Sequence, residues 1–239
     1  MTYVLSDIHG NIDAFESILS QINLQADDDL YILGDVIDRH PYGIEIIQKI
    51  MNSPNMHMII GNHEHMMLET LGYPYNNKQS DIRDVKNVWT NRNGGQVTYD
   101  AYNKLSDDEK QKVVDFLLHL PLEYDIEVNG TKFHLCHSLP KYLADEIDEF
   151  QWNVAYECIW NRDWLEQIPY LNIKEMTIIG HTPVHHFVHF DDVPFIVQLG
   201  DSVIDIDCGA GFPNDMKPSG RLSCICLDDM KEFYSSTKN

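Results

Sequence analysis

TYVLSDIHGNIDAFESILSQI, residues 2–22, decides the fold. An apolar run ends in the polar cluster Asp7, Ile8, His9 and Gly10, after which Ile12, Phe15, Ile18, Leu19 and Ile22 fall on one helical face. The same order returns twice. LYILG (30–34) leads through residues 35–39 into GIEIIQKI, and MHMII (56–60) leads through residues 61–64 into HMMLETL. Strands alternating with helices pair in parallel through right-handed crossovers, and such sheets gather ligands at the carboxyl ends of their strands. All three polar clusters fall there.

Outward from this core, residues 72–83 turn polar and residues 85–118 read as helical, with Ser106 and Glu109 forming a capping box. Residues 72–118 therefore read as a helical insertion or cap beside the site. Beyond Pro121, YDIEV and TKFHLCH flank Asn129-Gly130, a hairpin signal. MTIIG, FIVQLG, VIDID and SCICL, divided by turn residues, predict a second and largely antiparallel group of strands. No internal boundary or low-complexity tract interrupts residues 1–239, so the expectation is one α/β domain, a sandwich of two mixed β-sheets flanked by helices.

The 239 residues carry 17 Lys+Arg against 38 Asp+Glu, a net charge of −21, with 43% hydrophobic residues. A chain of this size buries roughly 70% or more of its unfolded surface and needs no disulfide or structural metal to fold. The net charge disfavours nucleic acid polymers and anionic membranes as partners. An anionic substrate would need a local positive site. Five widely spread Cys lack paired CxxC spacing and read as reduced, buried thiols, with Cys224 and Cys226 on one face of a strand. The start of the chain lacks a basic-then-apolar leader, and no run reaches 18 apolar residues. A cytoplasmic, soluble protein is expected.

Asp7 and His9, two apart where an extended segment ends, can reach one cation. Asp35, Asn62, His137 and His181 follow later strands in the same way. Carboxylate, imidazole and amide oxygen suit Mn, Fe or Zn rather than a thiolate site. Two divalent ions against two carboxylates leave a charge of about +2, enough to hold a phosphate on an acidic protein. Each residue taken alone could instead cap a helix or bond a loop. Two four-residue motifs, Gly34-Asp35-x-x-Asp38-Arg39 and Gly61-Asn62-His63-Glu64, each arise by chance in about one chain in a thousand of this length.

The ordered set Asp7-x-His9-Gly10, Gly34-Asp35-x-x-Asp38-Arg39, Gly61-Asn62-His63-Glu64, His137 and Gly180-His181-Thr182 resembles the phosphoprotein phosphatase branch of the calcineurin-like metallophosphoesterases, the bacteriophage lambda type above all. Trp89 with Asn93-Gly94-Gly95, Trp160-Asn161-Arg162 and Asp207-x-Gly209-Ala210 extend the likeness from about Tyr3 to Phe212. The resemblance implies one metal held by Asp7, His9 and bridging Asp35, and a second held by Asp35, Asn62, His137 and His181. The metals would be Mn first, with Fe, Zn or Ni also accepted. A hydroxide bridging them would attack phosphorus in line. His63 would protonate the leaving alkoxide, Asp38 would orient His63, and Arg39 and Arg162 would grip the phosphate. The implied activity is hydrolysis of phosphomonoesters on a phosphorylated protein, peptide or small molecule, of the serine/threonine or tyrosine type.

Two positions depart from the family pattern. Ile60 stands where protein phosphatases usually carry an Arg, and symmetrical dinucleoside tetraphosphatases also tend to be apolar there, which makes such a hydrolase the alternative enzyme reading. His40 replaces the usual Gly after Asp38-Arg39 and reads as an exposed turn residue that could touch substrate. A non-catalytic metal-binding interaction module is the alternative from another class, set against the intact His63, Asp38, Arg39 and Arg162. His185, His186 and His189, with irregular spacing and no carboxylate partner, read as a solvated loop rather than a further metal site. Cys208 reads as packing, Met66, Met67 and Leu68 as core, and the acidic runs 27–29 and 145–149 as solvated surface.

Overall fold

The computed structural model describes residues 1–73, 82–147, 154–190, 194–212 and 220–236. The middle of the polar stretch, 74–81, and acidic residues 148–149 lie outside them. Three strand-helix units open the chain: β1 (Thr2–Leu5) and α1 (Ile12–Ile22), β2 (Asp29–Ile32) and α2 (Gly43–Met51), β3 (Met56–Met58) and α3 (Asn62–Thr70). Asn11 caps α1 by accepting from the Ala14 amide at 3.2 Å, and Asn23 ends it in a left-handed conformation.

A helical stretch follows, with α4 (Ile82–Asn87), a π-helical turn (Val88–Arg92), α5 (Gln96–Asn103) and α6 (Asp107–Leu118). Ser106 and Glu109 form the expected capping box on α6. The chain then enters β4 (Glu123–Val128) and β5 (Thr131–Cys136), joined by Asn129-Gly130 with φ of 51° and 81°. Two left-handed residues are what a two-residue hairpin turn requires. The last elements are α7 (Lys141–Ile147), α8 (Val154–Trp160), a 3-10 helix (Asp163–Tyr170), β6 (Met176–Ile179), β7 (Val197–Leu199), β8 (Val203–Asp205), β9 (Ser223–Cys226) and β10 (Glu232–Tyr234).

Two five-stranded sheets result, ordered β10-β9-β1-β2-β3 and β4-β5-β6-β8-β7. Both are mixed. β1, β2 and β3 run parallel, with β9 antiparallel to β1. The second sheet is less antiparallel than the sequence suggests: β5, β6 and β8 are parallel, and only the edge strands β4 and β7 oppose them. SCICL leaves that group altogether and joins the first sheet beside β1. Apolar runs announce strands but not partners, because hydrophobicity measures burial and pairing is decided by long-range register.

Alternation along the strands shows how the layers pack. Val4, Ile225, Phe133, Leu135, Ile178 and Ile204 point into one cluster shared by both sheets. Their neighbours Leu5, Cys224, Cys226, Cys136, Ile179 and Val203 point the other way, into a cluster with Phe15, Ile46, Met67 and Leu117 of the helices. Period-2 strands thus feed a sandwich core on one face and helix packing on the other. All five Cys are buried and free. Met66, Met67 and Leu68 lie in the core as expected. The acidic run 27–29 is not all solvated: Asp28 is buried and accepts from the Met1 ammonium at 2.6 Å and the Gln25 amide at 2.9 Å. Among the described residues, no helix is long and apolar enough to cross a membrane.

Candidate active site

The loops leaving β1, β2, β3, β5 and β6 meet at the carboxyl ends of those strands and are laced together through backbone. The Asp7 amide donates to Gly34 O at 3.2 Å, the His9 amide to Asp35 O at 2.9 Å and the Gly180 amide to His137 O at 3.0 Å. Asp7, His9, Asp35, Asp38, Arg39 and His181 all have φ between 50° and 75°. Such conformations cost of order 1–3 kcal/mol each and survive only where surrounding bonds impose them. Here they fold each loop back sharply, so that its polar side chains converge.

Asp7, His9, Asp35, Asn62, His137 and His181 are all buried. Two groups of donor atoms lie within 4.8 Å of one another, His9 with Asp35 and His63, and Asp35 with His137 and His181. Asp35 is common to both. Its Oδ2 is 3.9 Å from His9 Nε2, and its Oδ1 is 3.5 Å from His137 Nε2. Asp7 Oδ1 lies 3.8 Å from His9 Nε2, and Asn62 Oδ1 lies 3.1 Å from His137 Nε2.

The outer nitrogens show which lone pairs face inward. His9 Nδ1 bonds Ile37 O at 3.1 Å, His137 Nδ1 bonds Leu33 O at 2.6 Å and His181 Nε2 bonds Trp160 O at 3.2 Å. Each of these nitrogens must carry the proton, because a carbonyl only accepts. The opposite nitrogens are then bare, and His181 Nδ1 is buried with no hydrogen-bond partner. Backbone carbonyls that fix an imidazole tautomer are the usual outer support of a metal-binding histidine. Burial keeps the His9 and His181 imidazoles neutral, well below their ordinary pKa. Burial also pushes the Asp35 carboxyl up to about 6. Carboxylates and bare imidazoles enclosed together lack the positive charge that divalent cations would bring, and the donor set fits such ions.

Beside the carboxylates, His63 Nδ1 and Asp38 Oδ2 are 2.6 Å apart, both fully enclosed. His63 Nε2 turns toward the site, 3.8 Å from Asp35 Oδ2. It therefore joins the donor group of His9 and Asp35, where the sequence reading gives it the acid role and no ligand role. Burial raises Asp38 to about 7 and lowers His63 to about 4, so neither is readily charged without a neighbouring counter-charge. Arg39 and Arg162 are exposed at the rim. The Arg39 guanidinium sits 5.6 Å from the Phe212 ring centroid, and Arg162 Nη2 donates to His181 O at 3.3 Å.

Three residues with no role in the sequence reading prove central to this geometry. Glu64 is fully buried, and its carboxylate accepts from the amides of Asp35 (2.9 Å), Gly61 (3.0 Å), Val36 (2.9 Å) and Ile37 (3.3 Å). Burial, with the nearby Asp35 charge, pushes its pKa up to about 8. Four N–H donors nonetheless favour the ionised form, because a proton on either oxygen would face an amide hydrogen. Trp89 Nε1 donates to Asp38 Oδ2 at 2.7 Å, and the Asp38 amide donates to Thr98 Oγ1 at 2.9 Å. The motifs containing Glu64 and Trp89 were visible in sequence, but apart from Gly61, three positions before Glu64, their partners lie 27 or more positions away.

Ile60, at the departure from the family pattern, is fully buried in the core with its amide bonded to Pro121 O at 3.0 Å. His40 is half-buried rather than an exposed turn residue, and its Nε2 has no partner among the described residues. His185 packs against Phe212, with ring centroids 5.2 Å apart, and stacks on His186. Among the described residues, none of His185, His186 and His189 joins a group able to hold a metal. Cys208 is buried, and burial raises its thiol pKa, which argues against reactivity.

Residues 2–204 match the family described as Calcineurin-like phosphoesterase. The chain belongs to this family. The phosphoesterase is 30% identical over 230 residues, 92% of this chain and 90% of the other, to serine/threonine-protein phosphatase 2 of Escherichia coli (strain K12). That likeness supports its place in the phosphoprotein phosphatase branch. It is also 24% identical over 149 residues, 60% of this chain and 46% of the other, to a symmetrical bis(5'-nucleosyl)-tetraphosphatase of Acidovorax ebreus (strain TPSY). A crystal structure of a putative diadenosine tetraphosphatase has the same fold, with a TM-score of 0.61 at 15% identity, covering 100% of this chain and 94% of that one. This phosphoesterase is a phosphoric ester hydrolase of a metal-dependent family.

Proposed function

We propose that this phosphoesterase hydrolyses phosphomonoesters of the phosphoprotein type at a dinuclear centre, with Mn the first candidate and Fe, Zn or Ni also compatible. The observation that carries the reading is the enclosed His63–Asp38 pair directed at an Asp35 common to two donor groups. Asp7, His9 and Asp35 would hold one cation, and Asp35, Asn62, His137 and His181 the other. When bound, the cations supply Lewis-acid polarisation of the phosphate and of an attacking water. Arg39 and Arg162 bring positive charge to an acidic protein and grip the non-bridging phosphate oxygens. As the attacking water bonds to phosphorus and the P–O bond to the leaving group breaks, that bond's electron pair stays with the alkoxide, which takes the Nε2 proton of a His63 imidazolium paired with ionised Asp38 and leaves a neutral imidazole. Asp38 holds His63 by its other nitrogen. The helical stretch from Ile82 to Leu118 acts as a wall of the same single domain.

The test compares Mn-loaded wild type with His63→Asn on a phosphoserine peptide. General acid catalysis contributes about 10²–10⁴-fold, so turnover should fall by that factor with bound metal unchanged. Unchanged turnover would remove the acid role. Ile60 favours a second reading, a symmetrical dinucleoside tetraphosphate hydrolase, because its burial leaves no phosphate clamp at that position. Higher kcat/KM on diadenosine tetraphosphate than on the peptide would select it. Loss of activity on both with metals bound would return the protein to a non-catalytic binding role.

A further inference from the structure

Asp38 has no exposed surface, and the helical stretch beside it grips its loop at three points. Trp89 Nε1 donates to its carboxylate at 2.7 Å, its amide donates to Thr98 Oγ1 at 2.9 Å, and the Arg39 amide donates to Gly94 O at 3.0 Å. Trp89 is fully buried and comes from the π-helical turn, a widened geometry that recurs at functional sites. The space beside its indole is open because residue 95 is Gly, where any Cβ would collide with Trp89 Nε1 and its ring.

We propose that Trp89 and Thr98 are positioning residues for the proton-donating pair, which makes the inference dependent on the acid role of His63. An indole N–H is a donor only and can neither take nor surrender the proton in play. It therefore favours Asp38 as the carboxylate, whose Oδ2 accepts from both the indole and His63. His63 Nδ1, 2.6 Å from that oxygen, then carries hydrogen, and the ionised Asp38 is the counter-charge that lets His63 hold a second proton on Nε2, facing the leaving group. Thr98 holds the same residue by its backbone, so that carboxylate and main chain are fixed from one helical segment. On this reading the segment is part of the catalytic apparatus, and its contribution is confined to substrates whose leaving oxygen needs a proton.

That restriction is the test. In the Mn-loaded full chain, Trp89→Phe and Thr98→Val are compared with wild type on a phosphoserine peptide and on p-nitrophenyl phosphate, whose leaving group departs without protonation. Loss of the indole bond to the carboxylate should lower peptide kcat by about 10- to 100-fold in Trp89→Phe, and loss of the neutral amide-to-hydroxyl bond by about 3- to 10-fold in Thr98→Val. Turnover of the aryl phosphate should fall by no more than about threefold, with bound metal per chain unchanged and Thr98→Ser restoring peptide turnover. His63→Asn serves as reference and should show the same substrate bias. Equal losses on both substrates in Trp89→Phe and Thr98→Val, or no loss on either, would overturn the proposal while leaving the acid role intact. If His63→Asn itself shows no bias, the acid role fails and this inference fails with it.

Discussion

Replacing Glu64 by Gln isolates a buried carboxylate that accepts from four backbone amides. Gln keeps a single oxygen. The orientation that retains the amides of Asp35 (2.9 Å) and Gly61 (3.0 Å) turns the new NH2 onto Val36 (2.9 Å) and Ile37 (3.3 Å). Two charge-assisted bonds are lost at about 1.5–3 kcal/mol each, and the longer one counts for less, so the net cost is about 3 kcal/mol. Folding stabilities run to about 5–15 kcal/mol, so the variant stays folded. At this chain length each kcal/mol lowers Tm by about 2–4 °C, which predicts a fall of about 6–12 °C. The same amides orient Asp35, so metal affinity should weaken by about 10- to 100-fold, the usual effect of removing an outer support. Thermal unfolding of the metal-free protein and a calorimetric Mn titration read the two effects separately. A protonated Glu64 would make Gln nearly isosteric. A Tm within about 1 °C of wild type together with unchanged Mn affinity would refute the ionised, loop-holding carboxylate.

Asp35 links stability to pH in the metal-free protein. Burial raises its folded pKa from 3.8 to about 6, so its contribution is fully present below pH 4 and is lost as pH rises toward 6. The loss is about 3 kcal/mol at 1.36 kcal/mol per unit. Chemical denaturation of wild type and Asp35→Asn in chelator across pH 4–7 should show the wild type losing that much more stability over the window, and parallel curves would contradict it. Saturating Mn should abolish the wild-type loss, since a cation favours the ionised carboxylate. Gly180→Ala would drive a Cβ into Ser6 Oγ and Asp7 Oδ2, which are themselves hydrogen-bonded to each other. Overpacking costs about 1–3 kcal/mol, and under the proposed two-cation assignment displacement of Asp7 should release the cation given to Asp7 and His9 before the other. Metal analysis after dialysis should find about one equivalent lost per chain, and full retention at wild-type affinity would show that Asp7 is not needed to hold it.

The strand-helix alternation of residues 2–71, the Asn129-Gly130 hairpin and the Ser106 cap were legible in sequence, because each depends on residues a few positions apart. The convergence of Asp7, Asp35, Asn62, His137 and His181 could be inferred because all follow strands, and strand ends on one side of a sheet are neighbours. Strand partnership was less legible. SCICL reads like any other apolar strand, yet it pairs with β1, some 220 residues away, and the expected antiparallel group became a parallel core with opposed edges. Asp28 looked like solvated surface until the fold brought the Met1 ammonium against it.

Sequence alone determined the elements, the family of phosphoric ester hydrolases and the residue types able to bind metal, since local periodicity and short motifs carry that information within a few residues. Tertiary structure alone decided which atoms face inward. Carbonyls of Leu33, Ile37 and Trp160 set the tautomers of His137, His9 and His181, and Glu64 ties two loops through four amides. Trp89, 51 positions from Asp38, donates its indole N–H to the carboxylate that meets His63. The physical reason is that hydrogen bonds act over about 3 Å in space. Their partners along the chain are set by how sheets and helices pack, which no local pattern encodes.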